Sequence, residues 1–437
     1  MIKRLIFAAL GWAALGAPTQ AQTEYGFIQF SSLRDGMASM SLVWDLTTNS
    51  AEDARALEAV LLAKLNDGTP TKSVRDSLDF RTIAGASYSI SSSPSHVIAT
   101  LMAPQDFFED AAAHFAESLR DTDVSGDWLD RFNSRLRQVP STRIATQANV
   151  ERELTEFALY ASHDRAIDAP IEMILRRPDQ VIANARDYNF GETPDIVMSA
   201  FPPEIHEPPK PPSAPRDLPS GVIFMEDDDA NEALIFLADT IPFETHEDQA
   251  LANTLYRYMG YGPGSEMFTI LRQEKRASYD PQSHFTELGT RFAFMGLSAN
   301  VEAAKWQDSY DTIAEIYRSA RAGENSAQGL ENSKNQMINV LAHGLRQEPD
   351  YLVRRYLEVF PYASPIGRLS LPMIATTFDL DTSSVNSNAA RVMPPVKDML
   401  TIIIGGHEPP PAEMQAAGYC TLEKGEPLRI CLDELSK

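Results

Sequence analysis

Eight prolines fall within the eighteen residues from Pro202 to Pro219 (PPEIHEPPKPPSAPRDLP), and no other feature limits so strongly how this chain can fold. Proline fixes φ and has no N–H to give to a helix or a sheet ladder. A stretch this dense is therefore an extended polyproline II spacer without a core of its own. At roughly 100–200 residues per domain, 437 residues make two or three domains. The spacer divides the chain near its middle, so we expect an N-terminal domain over residues 22–201, a linker over 202–220 and a C-terminal domain over 221–437. A long surface loop inside one domain is the competing reading, and the near-equal halves argue against it.

The first residues carry a different signal. Lys3 and Arg4 precede a short apolar run from Leu5 to Ala17, and Pro18-Thr19-Gln20-Ala21 offers the small residues that a signal peptidase reads. We expect residues 1–21 to be a signal peptide and the mature chain to be periplasmic or otherwise secreted. No later stretch approaches about 18 uninterrupted apolar residues, so no membrane insertion is expected. The only two cysteines, Cys420 and Cys431, lie close together. An oxidising compartment would let them form a disulfide, worth about 3 kcal/mol in the chain-entropy model. Their spacing fits neither a zinc knuckle nor Cys-x-x-Cys.

Lysine and arginine number 38 against 61 acidic residues, for a net charge of −23, or −25 once Lys3 and Arg4 are removed. A pI near 4.7 excludes nucleic acid as a partner, because phosphate binding needs clustered cations, and disfavours an anionic membrane surface. Basic peptides remain as ligands, although such charge also serves solubility.

Both halves mix helix and strand. In the first, Ala38–Leu46 is strand-like, Ala51–Leu65 has helical periodicity, and Gly85–Ser92 with His96–Met102 make a strand pair. Helices are expected at Pro104–Arg120, Asp127–Arg137 and Gln147–Ala161, and a short strand at Asp195–Ser199. In the second, strands at Gly221–Phe224 and Ala233–Leu237 precede a helix at His246–Met259. A glycine-rich turn, Gly260-Tyr261-Gly262-Pro263-Gly264, opens a helix through Arg272. Strands around Ala277–Glu287 and Arg291–Ser298, helices at Val301–Arg321 and Ser326–Arg346, and an apolar strand at Leu400–Ile404 follow. The recurring order of strand, helix, strand pair and helices points to a duplicated α+β unit.

The run Met259–Tyr279 (MGYGPGSEMFTILRQEKRASY), with its glycine turn, Ser265, the Arg- and Glu-rich helix end and Ala277-Ser278-Tyr279, resembles the C-terminal half of pitrilysin/insulinase zinc metallopeptidases, the inverzincins. In the N-terminal half, a helix ending in Asp67-Gly68-Thr69 followed by Gly85-Ala86 is similar to that family's first domain. The resemblance covers nearly the whole mature chain. It implies two homologous peptidase-like halves, each a mainly antiparallel sheet packed against helices, of the LuxS/mitochondrial processing peptidase-like metallohydrolase fold.

Members that hydrolyse peptides carry His-x-x-Glu-His before the Gly-Thr turn, so that two zinc ligands and a general base share one helix face. Aligning Gly68-Thr69 with that turn puts Ala59, Leu62 and Ala63 at the three positions, and none has a lone pair to offer. Among His96, His114, His163, His206, His246, His284, His343 and His407, no two stand three or four residues apart. The nearest fragment, His114-Phe115-Ala116-Glu117, ends in Ser118 and reads as the surface of an amphipathic helix. We expect no catalytic residue and no metal in this chain, and zinc in a partner subunit.

In that family an Arg and a Tyr seven residues apart reach the zinc site and hydrogen-bond substrate. Arg272 and Tyr279 have this spacing, and a guanidinium with a phenol offers two donors to an oxygen becoming negative. The alternative is local: Arg272 pairing with Glu274 or Asp280, and Tyr279 packed in a strand. The glycines at 260, 262 and 264 do not make a dinucleotide loop, since the spacing is wrong and Pro263 interrupts it. Glu226-Asp227-Asp228-Asp229 reads as a solvated turn rather than a calcium loop. Taken with the resemblance, these residues imply a non-catalytic, substrate-binding partner of a periplasmic zinc peptidase, forming a heterodimer with a zinc-bearing homologue and inactive alone. A non-enzymatic peptide-binding or scaffold protein of the same fold, like core subunits of respiratory complexes, and an inactive homodimer are the alternatives.

Overall fold

The computed structural model describes residues 26–30, 35–46, 51–66, 68–69, 71–93, 96–120, 130, 134, 146–159, 177–201, 215–288, 292–347, 376–377 and 379–437. The expected signal peptide, the helix at Asp127–Arg137 apart from Asp130 and Ser134, and the proline-rich stretch 202–214 lie outside them. The described residues fall into two units. One draws on Met1–Arg137, Arg165–Ser213 and His343–Tyr356, the other on Gln138–Asp164, Ala214–Ala342 and Leu357–Lys437.

In the first unit, β1 (Gly26–Phe30) and β2 (Met37–Asp45) precede helices α1 (Ala51–Asn66) and α2 (Val74–Ala84). A hairpin of β3 (Ser87–Ser93) and β4 (His96–Pro104) leads through a 3₁₀ turn into α3 (Phe108–Arg120). Helix α4 (Gln147–Leu159) then leaves for the other unit, and β5 (Gln180–Ala185) with α5 (Thr193–Met198) completes the first. The sheet order is β1-β5-β2-β4-β3, with β1 and β5 parallel and the other neighbours antiparallel.

Alternation decides which face is covered. Met40, Leu42 and Trp44 of β2 and Val97, Ala99 and Leu101 of β4 share one core with Leu57, Leu61 and Leu65 of α1 and Phe108 and Phe115 of α3. The opposite face carries hydroxyls, and Ser41 Oγ and Thr100 Oγ1 meet at 2.7 Å. Residues 193–198 are helical, against the expected strand at Asp195–Ser199: Pro194 sits in the first turn, where its missing N–H costs nothing, and three apolar residues alone do not distinguish the two states.

The second unit has β6 (Gly221–Glu226), β7 (Glu232–Pro242) and α6 (His246–Gly260), then a π-helical segment over Phe268–Glu274. A hairpin of β8 (Gln282–Glu287) and β9 (Phe292–Glu302) leads to α7 (Trp306–Arg321) and α8 (Ala327–Gln347). Helix α9 (Thr382–Val392), β10 (Leu400–Gly406), β11 (Tyr419–Thr421) and α10 (Arg429–Leu435) follow. The sheet order is β11-β6-β10-β7-β9-β8. Without β11 it repeats the first sheet strand for strand, down to the parallel pairing of β6 with β10. The duplication read from the element order is thus present in the topology.

The α6 N-terminus is fixed by a capping box, with Thr245 and Asp248 exchanging side-chain and backbone bonds. Ile223, Phe236, Phe294, Leu400, Ile402 and Ile404 form one core with Val150, Leu154 and Phe157 of α4 and Leu432 of α10. Two expected boundaries move. β9 runs on to Glu302 where a helix was expected from Val301, and the strand expected from Ala277 begins at Gln282, because the intervening residues form an anchored turn.

A disulfide joins Cys420 of β11 to Cys431 of α10 across 5.5 Å between Cα atoms, and it closes a sequence separation of 11. Both cysteines are buried. Replacing both with serine is expected to cost about 3 kcal/mol and to lower the melting temperature of the second unit by about 6–10 °C, as read by calorimetry of the non-reduced variant and wild type.

Candidate functional site

Helix α1 carries Ala59, Leu62 and Ala63, the positions that the resemblance aligns with zinc ligands. Ala59 and Ala63 are buried and Leu62 is half-buried. Methyl and isobutyl groups supply packing and no donor atom, so the position does not fit zinc and no hydrolytic step passes through it. Among the described residues, no group of three or more His, Cys, Asp or Glu side chains could hold a metal ion. The Gly-Thr turn after the helix is closed by reciprocal bonds between Thr69 and Lys72 of 2.8 and 3.2 Å. A Cβ on Gly68 would collide with the Lys72 carbonyl, so glycine is required there.

His114 and Glu117 part company. Glu117 is half-buried and accepts bonds from the backbone N–H and hydroxyl of Thr71, which hold its carboxyl below the usual range. His114 is buried rather than on the surface, a correction that follows from its neighbours. Its ring stacks on Phe80 at 4.6 Å, and its Nδ1 lies 2.8 Å from the Tyr88 hydroxyl. Burial foremost, and then the cation of Lys72, push the imidazole down to about 4.

The Arg272–Tyr279 segment is built by local irregularities. Helix α6 ends at Gly260, where a Cβ would meet the Ser283 N–H nitrogen of β8 at 2.5 Å, so only glycine permits the approach. Gly262 turns the chain with a φ of +76°. Ser265 then caps the next segment, donating to the Gly262 carbonyl and accepting from the Phe268 N–H. Expected as ordinary helix through Arg272, this segment is π-helical over Phe268–Glu274, a geometry that recurs at functional sites. The guanidinium of Arg272 lies 4.8 Å over the Phe268 ring.

Arg276 leaves the π turn at a φ of +52°, a left-handed conformation uncommon outside glycine, and strain of this kind clusters where function needs a fixed geometry. Residues 278–280 then form a turn held from several sides. Arg272 Nη1 donates to the Tyr279 carbonyl at 2.9 Å. Asp280 accepts from the Asn300 backbone and side chain at 3.2 and 2.6 Å, and Gln147 Nε2 donates to the Asp280 carbonyl at 3.0 Å. The Asp280 carboxylate is thereby taken up by Asn300, and Tyr279 is not packed in a strand. Tyr279 is 81% exposed on a backbone held through its own carbonyl and the adjacent Asp280. One guanidinium N–H holds the turn, and the remaining donors of Arg272 with the Tyr279 phenol suit a ligand oxygen carrying negative charge.

Elsewhere in the second unit, Asp227 of the acidic turn pairs with Lys424 at 2.7 Å. A cleft of about 990 Å³ lies between α7 and the segments before β10 and β11. Its lining includes Arg318, Arg321 and Lys397 against Asp311, Asp398 and Glu413, which leaves it no net preference for either sign of charge. Sequence reasoning missed one cluster. Glu151, His284 and Ser298 are joined by hydrogen bonds although 133 residues separate the first two, and no local motif marks such a grouping.

Residues 179–337 match the family model described as the peptidase M16 inactive domain. This segment is similar to that domain, and over it the resemblance to pitrilysin/insulinase peptidases seen in the sequence is borne out. No curated protein sequence matches it. Among solved structures, a peptidase M16 inactive domain from Pseudomonas fluorescens superposes with a TM-score of 0.68 at 15% identity, covering 90% of this chain and 98% of that one. The periplasmic protease PqqL from Escherichia coli gives 0.65 at 9% identity, covering 89% of this chain and 46% of that one. A chain of Complex III2 from Candida albicans gives 0.61 at 9% identity over 90% and 97%. At these identities the likeness is one of fold. No described helix is long and apolar enough to cross a membrane.

The depressed imidazole of His114 has a consequence for stability. Between about pH 6.5 and about pH 4 the unfolded chain takes up a proton on this histidine that the folded chain refuses, so stability falls as pH falls through that window, by about 3 kcal/mol. His114→Phe is expected to keep the stack on Phe80 and to flatten this part of the pH–stability curve, measured by urea denaturation from pH 7 to pH 4.

Proposed function

We propose that this chain is the substrate-binding partner of a zinc peptidase of the same fold, acting in the periplasm without hydrolytic chemistry of its own. The observation that carries the proposal is the Tyr279 turn. A large aromatic side chain is kept in water on a backbone held by Arg272, Asn300 and Gln147, an arrangement that stabilises little by itself and presents two donors outward. In the assembled enzyme the zinc-bearing subunit contributes metal and base. This chain contributes the Arg272 guanidinium and the Tyr279 hydroxyl to the substrate carbonyl on which negative charge builds. The inert Ala59, Leu62 and Ala63 and the match to an inactive domain support that division of labour. The likeness to a periplasmic protease supports the compartment. An acidic chain of −23 favours basic peptides as substrates.

The test is co-expression with a homologue carrying His-x-x-Glu-His, assayed on a fluorogenic lysine-rich decapeptide. Arg272→Ala and Tyr279→Phe are each expected to lower kcat/KM of the pair by about 10- to 1000-fold with unchanged melting temperature. Full turnover by both variants would overturn the proposal.

The likeness to a chain of Complex III2 favours a second reading, a scaffold subunit without peptide contact. A scaffold would retain its partner on a sizing column in both variants and would show no binding of the decapeptide.

A further inference from the structure

The position of α4 makes it more than a covering helix. It lies in the N-terminal half of the sequence, yet Val150, Leu154 and Phe157 are buried in the core of the second unit. Its C-terminal end is fixed where Phe157 lies under the guanidinium groups of Arg216 at 4.4 Å and Arg429 at 5.3 Å, and where Arg216 N–H bonds the Ala158 carbonyl. Its first residue is the buried Gln147, whose amide holds the Asp280 carbonyl beside Tyr279.

Between these ends sits the polar cluster. Glu151 Oε2 lies 2.8 Å from His284 Nδ1, and its Oε1 accepts from the Thr286 hydroxyl at 2.7 Å. His284 Nε2 lies 2.7 Å from Ser298 Oγ, with the ring stacked on Phe236 at 4.7 Å. Burial works against the charge of Glu151, but the bonds from His284 and Thr286 outweigh it and bring the carboxyl below its usual range. An ionised carboxylate only accepts, so Nδ1 carries the proton it donates, and in the neutral ring Nε2 accepts from Ser298. The connectivity is that of a hydrolase triad, but Ser298 is fully buried and its hydroxyl cannot meet a substrate. The chain of bonds therefore holds and does not attack. It ties α4 to β8 and β9 at one register, one helical turn from Gln147.

We propose that Glu151, His284, Ser298 and Gln147 are positioning residues for the substrate-binding turn: the buried relay sets the register of α4, and Gln147 at the helix start fixes the carbonyl of Asp280 and with it the presentation of Tyr279. The proposal rests on the function assigned above to Tyr279, whereas the coupling of α4 to the turn rests on geometry alone. A one-residue slip of α4 would rotate Gln147 by about 100° and remove its bond to the turn.

Hydrogen–deuterium exchange of the full chain separates the two. Gln147→Ala is expected to raise exchange of residues 278–281 at least fivefold and leave residues 150–159 as in wild type. Glu151→Ala is expected to raise both. Glu151→Gln keeps an acceptor for Thr286 and, with His284 in its other tautomer, donates to Nδ1 while Nε2 donates to Ser298, and should return both to within twofold of wild type, a rescue that a loss of general stability would not show. In the assembled pair, Gln147→Ala should raise KM for the lysine-rich decapeptide about tenfold. Unchanged exchange at 278–281 in Gln147→Ala would overturn the proposal, and this variant decides the matter even if Glu151→Ala does not fold. If the exchange effects appear but Tyr279→Ala leaves turnover intact, the functional assignment falls and the coupling stands.

Discussion

Each sheet depends on a strand that arrives late in the chain and enters between the first two. β5 lies between β1 and β2, and β10 between β6 and β7, each parallel to one neighbour and antiparallel to the other. Without this strand the first strand of each unit has no partner in the sheet except, in the second unit, the short β11. The apolar residues of β10 alternate between the two faces, so one insertion completes both layers of packing. Long loop closure is the entropic cost of such a topology, and burial of a continuous apolar strand offsets it.

The same topology places the site. β8 and β9 hang from β7 at the far side of the second sheet, and the π turn approaches them through Gly260, which lies against the backbone of β8. After the π turn ends at Glu274, the chain has seven residues in which to reverse before β8 begins at Gln282. A left-handed Arg276 and the bonds of Asp280 to Asn300 accomplish the reversal. Arg272 and Tyr279 are thus neighbours for a reason independent of any ligand, and the exposure of the tyrosine ring is the part that packing does not explain. The peptide-binding role proposed above needs only donors in fixed positions.

Much of this was legible in the sequence. Strong helix formers with helical periodicity marked α1, and short apolar, strand-like runs marked β2, β4 and β7. The glycine turn with the Arg272 and Tyr279 spacing marked the site region. What was hidden is hidden for physical reasons. Ile196-Val197-Met198 is too short to carry a period, so its helix was taken for a strand. His114 looks amphipathic by its own helix, and only Phe80 and Tyr88 from other elements reveal its burial. Glu151 and His284 are polar residues with unremarkable neighbours, and their pairing exists only once α4 has crossed to the second sheet. Fold and local motifs were open to inspection, whereas long-range polar contacts were not.

That crossing has a consequence for how the molecule comes apart. The helix at 147–159 precedes the proline-rich stretch in the chain but completes the core that follows it. A protease nick in that stretch would not liberate two self-sufficient pieces. The C-terminal fragment would be stripped of one layer of its hydrophobic packing, and the N-terminal fragment would carry an amphipathic helix with no surface to cover. The two fragments would hold together after cleavage, and expressing them separately would yield insoluble halves that recover only when mixed.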